Sequence, residues 1–137
     1  MNKSFSVTIS ATIAVLCLAS APVWAHHSFA AEFDENKPVK LTGTVTSMEW
    51  VNPHSWIHVD VKNADGSVSN WAVECGNPNT LLRRGYTKAS LMAGTEIVVQ
   101  GFQAKRGGFI VNGSTVEFKD GRKLFLGSSG DEGRAPK

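Results

Sequence analysis

Trp56-Ile57-His58-Val59-Asp60-Val61-Lys62 and Val68-Ser69-Asn70-Trp71-Ala72-Val73-Glu74-Cys75 are two alternating runs joined by Asn63-Ala64-Asp65-Gly66-Ser67. Apolar and polar residues that alternate mark half-buried strands, and the turn residues between them make a hairpin. Ile57, Val59 and Val61 share one face of the first run, with Trp56, His58, Asp60 and Lys62 on the other. Trp71, Val73 and Cys75 form the bulkier face of the second. The loop decides which faces meet. A two-residue Asp65-Gly66 turn sets Val59 against Ala72 and Ile57 against Glu74, which puts a carboxylate in the core. A three-residue Ala64-Asp65-Gly66 loop, closed by Gly66 in the left-handed region, sets Val59 against Trp71 and Ile57 against Val73. A one-residue slip turns every side chain to the opposite face, so hydrophobic matching selects the second register. Its outer face carries Trp56, His58 and Asp60 opposite Glu74, Ala72 and Asn70.

Upstream, Val39 to Thr46 alternates with Val39, Leu41 and Val45 on one face. Gly43 sits on that same face, where a glycine permits a sharp bend or bulge. Asn52-Pro53 ends the run. Downstream, Asn77-Pro78 starts a short helix, with Asn77 as cap and Pro78 in the first position, and Gly85 stops it. Thr95–Phe102 and Phe109–Phe118 are further strands, the latter interrupted at Asn112-Gly113. Lys119-Asp120-Gly121 is a turn, and Lys123–Leu126 closes the sheet. The expected fold is all-β, a five- or six-stranded Greek-key barrel of the oligonucleotide/oligosaccharide-binding (OB) type, with one short helix between strands three and four. Its domain covers residues 37–127, after an N-terminal arm at 26–36 and before a polar tail at 128–137.

The chain has 137 residues, one domain's worth, with 14 Lys+Arg and 12 Asp+Glu for a net charge of +2. That balance excludes a polyanion binder acting through bulk charge, so nucleic acid is not an expected partner. Residues 1–25 read as a secretory signal: Lys3, an apolar stretch around Val7–Ala19, and a Val23-Trp24-Ala25 cleavage site. A periplasmic or secreted, monomeric protein without a transmembrane segment is expected. Cleavage removes Cys17 and leaves Cys75 alone, so no intrachain disulfide can form. Cys75 falls on the inward face, where packing is its expected role.

His26-His27-Ser28-Phe29, Leu41-Thr42-Gly43-Thr44-Val45 and Trp50-Val51-Asn52-Pro53-His54-Ser55-Trp56 resemble a family of short exported bacterial proteins, a domain of unknown function. The resemblance continues through Asn77-Pro78-Asn79, Leu82-Arg83-Arg84-Gly85 and Gly94-Thr95-Glu96. It implies export and a small β domain, and supplies no catalytic residues.

All four histidines fall in two places, His26-His27 and His54/His58. Cleavage after Ala25 gives His26 a free α-amine, with an unperturbed pKa of about 7.7–8.0. Amine and imidazole can chelate one ion together, and a further imidazole from His54 or His58 completes a set suited to Cu(II). Alternatively the amine, the backbone nitrogen of His27 and its imidazole chelate without the fold. His54 and His58 lie about 13 Å apart along an extended strand at about 3.3 Å per residue, which disfavours their joining one ion. A mixed set of His54, His58 and Glu74 is a weaker alternative, as is a Cu(I) set of Met48, Trp50 and His54. A second class of function uses the outer strand-two/strand-three face. There Trp56 and Glu74, with Lys105 and Arg106 in a basic glycine loop, would hold a small ligand or an envelope protein. Catalysis is not expected. Ser28, Ser55 and Cys75 carry no signature of an activated nucleophile, and neither a phosphate loop nor a dinucleotide fingerprint is present.

Overall fold

The computed structural model describes residues 29–127. A short helix, Phe29–Glu32, leads into β1 (Phe33–Glu49), β2 (Trp56–Lys62) and β3 (Val68–Glu74). A helix at Pro78–Arg83 follows, then β4 (Glu96–Ala104), β5 (Ile110–Phe118) and β6 (Lys123–Phe125). The strand order is β3-β2-β1-β4-β5-β6, and a parallel β3–β5 pairing closes the ring. Five strands thus form an OB-type barrel, with β6 added beside β5. The expected fold class is the observed one. Among the described residues no helix is long and apolar enough to cross a membrane.

The hairpin register is the one hydrophobic matching selects: Val61 faces Ser69, Val59 faces Trp71, and Ile57 faces Val73. Gly66 has φ 85° and donates its N–H to the Asn63 carbonyl at 3.0 Å. Val45, Ile57, Val59, Val73, Val99, Val111 and Val116 form the centre of the core, each at most 1% exposed. Leu81, Tyr86 and Leu91, from the β3–β4 connection, join the same cluster. Asn77 caps the helix by accepting from the Thr80 N–H at 2.9 Å, with Pro78 in the first turn and Gly85 at φ 93° after it.

β1 serves two neighbours. Its first part pairs with β4 up to Thr44↔Glu96, and its last part pairs with β2 from Thr44↔Asp60 onward. A Cβ on Gly43 would lie 2.3 Å from the Asp60 carbonyl oxygen, so only glycine lets the strand pass this close. Thr46 is the extra residue of a bulge, which turns Met48 inward opposite Ile57 and Glu49 outward opposite Trp56. The interruption expected at Asn112-Gly113 is a second bulge: Gln100 pairs Thr115 and Gly101 pairs Gly113, leaving Ser114 between.

One expectation needs correcting. The first strand starts at Phe33 rather than Val39, and the segment read as an arm contributes a helix and several strand residues. Asp34–Pro38 shows no alternation because the β1–β4 register shifts between Phe33 and Pro38. Phe33 still pairs with Ala104 and is 4% exposed. Phe29 anchors the helix, its ring 5.8 Å from Phe33 and 5.5 Å from Phe102. The leader at 1–25, residues 26–28 and the tail from Ser128 lie outside the described residues.

Candidate functional site

Strand pairing builds one row across the outside of the barrel. Trp56 faces Glu74, Glu74 faces Asn112, and Asn112 faces Phe102. Such neighbours stand about 4.5–5.5 Å apart at Cβ. The row is on the outer face, yet Glu74 and Asn112 are each 8% exposed and Phe102 is 6% exposed. The outer face of the hairpin therefore runs from open at Asn70, through half-buried Asp60, to buried at Glu74.

A pocket of about 350 Å³ opens beside this row. Trp56 and Glu74 line it from β2 and β3, and Ala31, Glu32 and Phe33 from the N-terminal segment. Ala104, Lys105, Arg106 and Ile110 complete it from the β4–β5 connection. Lys105 ties two of these walls together. Its backbone N–H donates to the Glu32 carbonyl at 2.8 Å and its ammonium to the Ala30 carbonyl at 2.7 Å. These bonds satisfy carbonyls at the end of a four-residue helix that could not stand alone in water. The loop turns back through Gly107 and Gly108, at φ 78° and 77°, where a side chain would be strained. Arg106 is exposed at the turn.

The two fold histidines go separate ways. His54 Nδ1 lies 3.3 Å from the Cys75 carbonyl and 3.3 Å from Glu74 Oε1. Both neighbours are acceptors, so Nδ1 carries a ring proton. His58 Nε2 lies 2.8 Å from Glu49 Oε1. Its carboxylate partner is thus on β1 rather than β3, because the Thr46 bulge brings Glu49 round to the outer face. Asp60 and Asn70 are also engaged, the Asn70 amide donating to Asp60 Oδ1 at 2.8 Å and to Thr46 Oγ1 at 3.2 Å. Among the described residues no three His, Cys, Asp or Glu side chains gather where one ion could bind them. The set of His54, His58 and Glu74 is therefore not assembled. Met48 and Trp50 pack partly buried against the core. Cys75 is 2% exposed, donates its thiol to the Val73 carbonyl at 3.4 Å, and is pushed well above the usual thiol range by burial. Such a thiol is a packing group.

Of the residues singled out in the sequence, Trp56, Glu74, Lys105 and Arg106 line one pocket. His54 adjoins it through Glu74, and His58 is directed to Glu49. His26 and His27 lie outside the described residues. Sequence reasoning missed the wall made by Ala31–Phe33; its signal was the Phe29 and Phe33 pair just ahead of the polar run. A more open concavity of about 410 Å³ lies on the outer side of β1 and β4, beside Thr42, Thr44, Glu96 and Val98.

The model of the DUF6152 family, described as a family of unknown function, matches residues 13–112. The chain belongs to this family. The match takes in every motif from His26-His27 to Gly94-Thr95-Glu96 and runs through the pocket residues. No curated protein and no solved structure matches the chain. DUF6152 membership thus carries no activity to transfer, and chemistry must be argued from the site.

Proposed function

We propose that this DUF6152 protein is an exported, non-enzymatic binding module whose ligand site is the pocket between the N-terminal segment, the β2/β3 outer face and the β4–β5 loop. One observation carries the reading. Trp56, Glu74 and the Lys105-Arg106 pair, from three distant parts of the chain, line the same cavity. The volume falls near the lower end of the roughly 300–1,000 Å³ typical of small-molecule sites. An indole, a mostly buried carboxylate and a cationic rim supply shape and orientation. The competing concavity beside β1 and β4 lacks a buried charge. Binding of a small-molecule fragment set, followed by ligand-observed NMR, tests the proposal. Fragments that bind the wild type should lose at least ten-fold in affinity with Trp56→Ala and with Arg106→Ala. Fragment binding that survives both changes would reject this site.

A second reading places Cu(II) at the processed N-terminus, held by the amine and imidazole of His26 and one fold histidine. His54 is favoured over His58 as that histidine. Its Nδ1 is oriented by a carbonyl and a carboxylate, an arrangement common behind metal-binding imidazoles, which leaves Nε2 as the ligand atom. His58 uses Nε2 on Glu49. N-terminal sequencing of the exported protein and a copper titration decide it. Micromolar binding that disappears when one residue is added before His26 supports it; binding indifferent to that extension excludes it.

A further inference from the structure

We infer that the pocket selects a small zwitterion, with an ammonium group held by Glu74 and Trp56 and an anionic group held by Arg106. The inference rests on the ligand-site reading above and gives that site its ligand chemistry. Glu74 sits in the row between Trp56 and Asn112, its side chain 11% exposed. A carboxylate so far removed from water is favoured by positive charge beside it. His54 meets it from one side at 3.3 Å, and the pocket opens on Glu74 as well. A carboxylate offers about four acceptor positions, so one can face the pocket while others are engaged. Trp56 is the direct partner of Glu74 across the β2–β3 pair. A carboxylate with an aromatic ring beside it is the pairing that takes up an organic cation, through ion pairing and the ring quadrupole together.

Lys105 and Arg106 line the pocket together with Glu32, and the two cations are not equivalent. Lys105 is committed to the Ala30 carbonyl at 2.7 Å and serves to hold the N-terminal wall in place. Arg106 has no hydrogen-bond or ion-pair partner among the described residues, and its planar fork suits a carboxylate or a phosphate. Phe33, Ala104 and Ile110 line the same pocket and favour an apolar linker. A plain amine satisfies only the Glu74 end, and a plain acid only the Arg106 end. An apolar molecule satisfies neither.

Protein-observed NMR with glycine, 4-aminobutanoate and 6-aminohexanoate, against hexylamine and hexanoate, tests this. The account expects one of the amino acids to bind at least ten-fold more tightly than either single-charge probe. That probe should shift the Trp56 indole and the Arg106 amide together. Glu74→Gln should weaken hexylamine and the amino acids about ten-fold and leave hexanoate unchanged; Arg106→Ala should weaken hexanoate and the amino acids and leave hexylamine unchanged. Equal binding of all five probes, or none at millimolar concentration, would overturn the zwitterion. The fragment experiment separates the two failures, since fragments still lost with Trp56→Ala leave the site standing and remove only its ligand class.

Discussion

Gly43 shows how much one missing side chain does. A methyl group there would reach to 2.3 Å from the Asp60 carbonyl, and backbone cannot yield as a flexible side chain can. Gly43→Ala should therefore cost about 3 kcal/mol, the upper part of the usual range for overpacking. The denaturant midpoint measures it. Tyr86 is the opposite case. It is 2% exposed and its hydroxyl has no hydrogen-bond partner among the described residues, so it sits among apolar neighbours at a cost. Tyr86→Phe should raise stability by about 1 kcal/mol. Burial also pushes the Tyr86 hydroxyl and the Cys75 thiol above their usual ranges. Both stay protonated in the folded state at pH values where the unfolded chain gives the protons up. Their contribution is full below about 8.5 for the thiol and about 10 for the phenol, and stability falls as pH rises beyond those values. The double variant Cys75→Ala, Tyr86→Phe should show a shallower fall between about pH 8 and 11; an equally steep one would refute these pKa directions. Cys75 and Gly43 were legible in the sequence because alternation alone puts both on the inward face. The unsatisfied Tyr86 hydroxyl was not, since nothing in a turn-rich stretch says which side chain the barrel will swallow.

At the level of the element, the N-terminal segment is the part whose stability is borrowed. A four-residue helix has no independent stability, and this one is held by two hydrogen bonds from Lys105 and by the Phe29 ring against Phe33 and Phe102. Lys105→Met keeps the aliphatic stem and removes the bond to Ala30. Hydrogen exchange at residues 29–33 should then speed up several-fold while the β2 and β3 amides keep their protection. Equal loss of protection in both would show the segment to be an integral part of the barrel. The helix Pro78–Arg83 depends instead on its cap, and Asn77→Ala should cost about 1 kcal/mol in a thermal or denaturant melt. The β2–β3 register could be read from sequence because turn length and hydrophobic matching are both local. The true start of β1 could not. Asp34–Pro38 crosses a register irregularity, and Phe33 is fixed by Ala104, some seventy residues away.

Across the whole molecule, the site depends on barrel closure. The parallel β3–β5 pairing sets Glu74 beside Asn112, and β5 in turn sets Asn112 beside Phe102. Residues that the chain separates widely become one surface, over which the N-terminal segment forms a wall. The outer-face composition was visible in the sequence once the hairpin register was chosen, so Trp56, Glu74, Lys105 and Arg106 could be named together. What turned a decorated face into a pocket was long-range: the return of Phe33 to the end of β4 and the fastening of Ala30 and Glu32 by Lys105. The His58 partnership failed to show for a related reason. Glu49 reaches the outer face only because a bulge at Thr46 shifts β1, and alternation cannot count a bulge it does not see.

Backbone amide NMR mapping of the folded protein during titration with the tightest-binding of the three amino acids addresses the binding claim most directly. The account predicts saturable shifts confined to residues 31–33, Trp56, Glu74 and 104–110. Shifts centred on Thr42, Thr44, Glu96 and Val98, with the Trp56 and Glu74 signals unmoved, would contradict it.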